Sequence, residues 1–136
     1  MFNRPFDDQS HINILLEAEA KLNIQENIRS GVYQLVWSYI LDYENEKNPF
    51  RERREQIIKW KKYAAVDIEE EDNLLSVADS LHQQGIKSMD ALHVACAITA
   101  HADYFLTTDK GILKKSNLIP GILVKDPINF IREVLS

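Results

Sequence analysis

Ile12, Leu16, Ala20, Ile24 and Ile28 fall on every fourth position and Leu15 widens the stripe. This period predicts an amphipathic helix over 8–28, with Asp8 or Ser10 as its cap and Gly31 closing the segment. Residues 32–37 form a compact run rich in β-formers, broken only by Gln34, the pattern of a strand buried on both sides. Ser38 stands where a helix over 39–47 needs its N-cap, and Asn48-Pro49 breaks that helix before a second one over 50–63. A short strand is expected at 64–68. A helix over 70–84 comes next, with Leu74, Leu75, Ala78 and Leu81 on one face and Gly85 as its stop. Ser88 is placed to cap a helix over 89–101 that is apolar almost all round. The chain then predicts a strand at 104–107, a helical turn at 110–115 and a last strand at 122–124. Asp126 caps a terminal helix whose first residue is Pro127.

Strand and helix alternate without repeat, low-complexity tract or linker, so one α/β domain over 1–136 is expected. Its economical form is a mostly parallel sheet with helices on both faces, a three-layer α/β/α arrangement. The chain passes from Met1-Phe2-Asn3-Arg4-Pro5 straight into a helix, so such a fold lacks its usual first strand.

At 136 residues the chain can bury a genuine core, and 45% hydrophobic with 27% charged residues is an ordinary soluble composition. No apolar stretch approaches the roughly 18 residues that span a bilayer, and Arg4, Asp7 and Asp8 interrupt any signal peptide, so a cytoplasmic protein is expected. The single Cys96 excludes an intramolecular disulfide and a multi-cysteine zinc site, and its apolar surroundings predict a buried, inert thiol. A net charge of −5 argues against unspecific binding to a polyanion. Locally the balance shifts. Arg51, Arg53, Arg54, Lys59, Lys61 and Lys62 make a basic helix, and an acidic block, 67–72, succeeds it. Both read as solvated faces, or the basic one as a contact for a nucleic-acid backbone or an acidic partner.

Three acids stand at the ends of elements. Asp109 comes after the run Tyr104-Phe105-Leu106 within Thr107-Thr108-Asp109-Lys110, where alternating strand/helix folds hold ligands. Asp90 opens the buried helix, where it also complements the helix dipole. Glu44 lies six residues after Ser38, on a helix it shares with Asp42 and Glu46. Taken singly, each has a structural reading as a cap or a surface charge. Converging, they would repel unless a cation neutralised them, and a hard divalent ion, Mg²⁺ or Mn²⁺, suits oxygen donors. His93, one turn beyond Asp90, is read as a packing or hydrogen-bonding residue, since no third nitrogen or sulfur ligand accompanies it. His11, His82 and His101 carry no visible chemistry. Gly-rich phosphate loops and covalent-catalysis motifs are absent.

The segment from Ser88 to Ala95, with Ala102 to Lys110 after it, resembles the C-terminal half of a PIN domain. Ser38 with Glu44 is similar to that family's middle motif. The resemblance implies a mostly parallel α/β/α fold and a Mg²⁺- or Mn²⁺-dependent ribonuclease, such as the VapC-type toxin of a toxin–antitoxin pair. It assigns Glu44, Asp90 and Asp109 to the acidic cluster, with Ser38 and Thr107 as polar neighbours. It further implies RNA as substrate, with an antitoxin protein and a homodimer as possible partners. The family also carries a first strand ending in an aspartate, just before the loop that here corresponds to residues 2–6. This sequence begins after that position, so one of four acids and the central strand are expected to be missing and activity impaired. A start upstream of Met1 is the favoured explanation, with a degenerate copy as the alternative.

In that scheme the metal-bound water attacks phosphorus in line, Thr107 or Ser38 orients it, and Arg51, Arg53, Arg54 or Lys110 receives the RNA backbone. The rival is a non-catalytic PIN-like module that binds RNA or a protein. A phosphoacceptor receiver domain shares the alternation but leaves Asp109 without a role.

Overall fold

The computed structural model describes residues 5–135, with side chains from residue 11 onward. Seven α-helices and four short strands alternate along them: α1 (Pro5–Arg29), β1 (Leu35–Ser38), α2 (Tyr39–Glu46), α3 (Arg51–Ile58), β2 (Ala64–Ile68), α4 (Asp72–Gln83), α5 (Ser88–Thr99), β3 (Tyr104–Leu106), α6 (Lys110–Lys114), β4 (Leu123–Lys125) and α7 (Pro127–Leu135). The fold is mixed α/β and mostly helical. Both strand pairings are parallel, as the alternation of elements predicts. The strands do not join in one sheet, however. β1 pairs with β2 and β3 pairs with β4, giving two separate two-stranded sheets among the described residues.

Helix termination uses one chemistry three times. After α1, α4 and α5 the chain turns through a left-handed residue, at Gly31 (φ 84°), Gly85 (φ 99°) and His101 (φ 58°). In each case two backbone amides fold back onto the last carbonyls: Val32 onto Asn27, Ile86 onto Leu81, and Ala102 onto Ala97, at 2.9, 3.3 and 3.0 Å. This is the Schellman arrangement, which satisfies orphan carbonyls and favours glycine at the turn. The predicted stops at Gly31 and Gly85 rest on this chemistry.

The core lies mainly between α4 and α5 and reaches α2, α6 and β4. Leu74, Ala78 and Leu81 pack on Ala91, Val94 and Ala95, and Leu74 and Val94 are wholly buried. Small residues on α5 let α4 approach closely, while its remaining faces contact β1 and β3. α5 is thus the central helix that its all-round apolar sequence predicts.

Several boundaries differ from the sequence expectation. α1 starts at Pro5, so Asp8 and Ser10 lie inside the helix rather than capping it. Proline needs no amide partner in a first turn, which favours the earlier start. The expectations for residues 1–4 lie outside the described residues. The stripe on α1 is buried only in part: Ala20 is covered, whereas Ile12, Leu15 and Leu16 are exposed. The helix expected over 50–63 ends as an α-helix at Ile58 and tightens into a 3₁₀ turn over Lys59–Tyr63. Ser88 is the first helical residue of α5 rather than its cap, and its hydroxyl lies 3.5 Å from His82 Nδ1. Asp126 does cap α7, accepting from the Asn129 amide at 2.8 Å.

Candidate functional site

A cleft of about 660 Å³ runs between the two sheets. β1 contributes Leu35, Val36 and Ser38 to its wall, β3 contributes Tyr104 to Leu106, and α5 contributes Asp90, His93, Cys96 and Ala97. Glu44, Thr107 and Asp109 line the same cleft. Every acid and both hydroxyls singled out in the sequence therefore meet one cavity, Ser38 from β1, Glu44 from α2, Asp90 from α5, and Thr107 and Asp109 from the loop between β3 and α6.

The strand ends deliver these groups. Ser38 is the last residue of β1 and is buried, at 3% exposure. Its Oγ accepts from the Leu41 amide at 3.4 Å, so the same hydroxyl ends a strand and caps α2. Glu44 lies on the second turn of that helix. After β3, Thr107 Oγ1 accepts from the Asp109 amide at 3.0 Å. Asp109 Oδ1 in turn accepts from Gly111 and Ile112 amides at 2.7 and 3.2 Å and starts α6. A β-carbon at position 111 would sit 3.0 Å from that oxygen, so glycine makes room for the cap. The structural role foreseen for Asp109 is real, and it leaves Oδ2 without a partner among the described residues.

His93 meets Glu44. Its Nε2 lies against Glu44 Oε1, with the imidazole largely covered and the carboxylate half exposed. The expectation of a hydrogen-bonding His93 holds, but its partner comes from a distant helix that sequence spacing could not supply. Asp90 is half-buried, and its carboxylate makes no hydrogen bond or ion pair among the described residues. Among those residues no group of three or more His, Cys, Asp or Glu side chains is close enough to hold a metal ion.

Burial shapes the rest of the wall. It pushes the Cys96 thiol above its ordinary 9.0, while a hydrogen bond with Ser38 works the other way. The Tyr39 phenol is also raised by burial, assisted by Cys96 and Glu70, and its hydroxyl has no hydrogen-bond partner among the described residues. Cys96 is accordingly the buried thiol its sequence context predicts.

The cations singled out in the sequence lie on the surface. Arg51 Nε pairs with Glu55 at 3.1 Å, Arg53 stacks over Phe50, and Arg54 Nη1 donates to the Asn48 carbonyl at 2.6 Å. Lys110 is exposed at the start of α6. Lys61 bridges the basic and acidic runs, 3.1 Å from Asp42 and 3.8 Å from Asp67. No protein-family model matches the chain, and no curated protein matches it. No helix among the described residues is long and apolar enough to cross a membrane.

Proposed function

We propose that this chain is a PIN-like, three-layer α/β/α domain whose acidic cleft hydrolyses RNA phosphodiester bonds with Mg²⁺ or Mn²⁺. One observation carries the reading: Glu44, Asp90 and Asp109, delivered by three different elements, line one cleft beside Ser38 and Thr107. The donor chemistry fits a hard divalent ion. Asp90 has both oxygens uncommitted, Asp109 keeps Oδ2 and Glu44 keeps Oε2 among the described residues. When bound, such an ion lowers the pKa of a water and stabilises charge on a leaving oxygen. The chain's own part is to supply negative charge from Asp90 and to fix Asp109 and Ser38 through their caps. Thr107 offers a hydroxyl to a phosphate oxygen, and Arg51, Arg53 and Lys110 neutralise flanking phosphates; Arg54 is occupied by Asn48. The test is RNA cleavage with Mn²⁺ by the wild type and by Asp90→Asn. Loss of cleavage with unchanged circular dichroism supports the assignment, and full activity in the variant refutes it.

A second reading, a non-catalytic PIN-like module, is favoured by the engagement of Glu44 with His93 and by the separation of the acids. The exposed apolar residues of α1, Ile14 and Leu22 foremost, suit a protein partner such as an antitoxin or a second copy. A thermal midpoint that does not respond saturably to Mn²⁺ would select this module.

A further inference from the structure

We infer that the surface joining α2 to α3 is a stacking platform for unpaired nucleobases, which takes a single strand of nucleic acid beside the acidic cleft rather than in it. Tyr43 on α2 and Phe50 at the start of α3 are exposed, at 45% and 63%. Each ring carries a cation on its face. Lys47 Nζ lies 4.4 Å from the Tyr43 centroid, and the Arg53 guanidinium lies 5.8 Å from that of Phe50. Neither cation makes an ion pair among the described residues.

Tyr43 and Lys47 have the spacing of neighbours on one helix, so that pair alone is ordinary. The hollow next to it is not local. Tyr43, Glu44, Lys47 and Asn48 line about 440 Å³ together with Met89, which arrives from α5. Glu44 borders this hollow and the cleft alike, so the two meet at one carboxylate. Asn48 fixes the turn between the rings. Its Oδ1 accepts from the Phe50 amide at 3.0 Å, and its carbonyl accepts from Arg54 at 2.6 Å. Asn48 Nδ2 is left without a partner among the described residues and can donate to a base edge. These groups match the parts of a nucleotide: a ring for the base, a cation for the phosphate and an amide for the edge. Bases stacked inside a duplex show no free face, so the ligand is a single strand. The overall charge of −5 works against long-range attraction of phosphates, which places the binding energy in the rings.

The inference deepens the nuclease reading and rests on it for the choice of RNA as the strand, but its test reads binding without cleavage. The full chain, in EDTA, is titrated with an end-labelled adenylate hexamer and, separately, with an abasic strand of the same length. Saturable binding of the hexamer is expected, at least about tenfold tighter than that of the abasic strand. Tyr43→Ala should lower the affinity about five- to 150-fold, the usual range for one stacked base, and Tyr43→Phe should keep it. Tyr43 is exposed, so an unchanged thermal midpoint in both variants serves as the folding control. Equal binding of the two strands, an unaltered affinity in Tyr43→Ala, or no saturation by about 1 mM overturns the inference. Base-dependent binding without any Mn²⁺-dependent cleavage would sink the nuclease reading and leave this one standing. Cleavage by a protein whose affinity ignores Tyr43→Ala would do the reverse.

Discussion

Asp90 and Glu44 face the same cavity under different constraints. Asp90 is uncommitted, while Glu44 is held by His93. Replacing His93 with Ala should release Glu44 and, if the acids share a cation, lower the Mn²⁺ concentration at which the thermal midpoint rises. An unchanged Mn²⁺ response would mean that Glu44 takes no part. Cys96 gives a prediction independent of metal. Its folded-state pKa is raised, so its contribution is complete below its ordinary value of 9.0 and is lost as pH climbs through the folded value. Urea titrations from about pH 8 to about pH 10 should therefore show falling stability, with a shallower fall in Cys96→Ala. Tyr39, raised for the same reason, extends the decline above its ordinary 10.0. The burial of Cys96 was legible in its apolar neighbours. The Glu44–His93 contact was not, because it joins residues 49 positions apart and no local period encodes it.

Helix ends were the most readable elements. Gly31 and Gly85 marked turns because glycine enters the left-handed region without a side-chain penalty. The same turn after α5 was invisible, since His101 occupies it. A residue with a β-carbon loses about 1 kcal/mol or more in that conformation. His101→Gly should therefore stabilise the protein by a few tenths to about 1 kcal/mol in denaturant titrations, the gain being offset by added freedom in the unfolded chain. Gly85→Ala should cost about 1 kcal/mol or more, because its new methyl also meets Lys115 Nζ, which donates to the Gly85 carbonyl at 2.5 Å. The 3₁₀ turn after α3 and the early start of α1 escaped the sequence for another reason. A turn's tightness depends on its neighbours in space, and hydrophobic period is silent on where a helix begins.

The molecule is organised around a core that both sheets share. One buried cluster takes in Ile40 next to β1, Leu74 and Val94 between the central helices, and Val124 in β4. Leu74→Ala should cost about 2–5 kcal/mol and should weaken hydrogen-exchange protection in both sheets together. Loss of protection in one sheet alone would mean that the halves unfold separately. Parallel pairing and the alternation of elements were legible in the chain. The division into two sheets was not, because partner choice among strands is settled by three-dimensional neighbours. The site shares that limit: the sequence picked out the acids, and their convergence on one cleft is a property of the fold.

Trp37 is 3% exposed in β1, and its indole Nε1 donates to Asp42 Oδ1 at 3.0 Å. Asp42 Oδ2 is held by Lys61, just ahead of β2. The other tryptophan, Trp60, lies partly exposed beneath the Arg29 guanidinium, 4.7 Å from its ring centroid. The protein thus carries a native optical gauge. A sheltered indole emits at shorter wavelength than a wetted one, so a red shift in fluorescence should report the opening of the β1–β2 pair without any label.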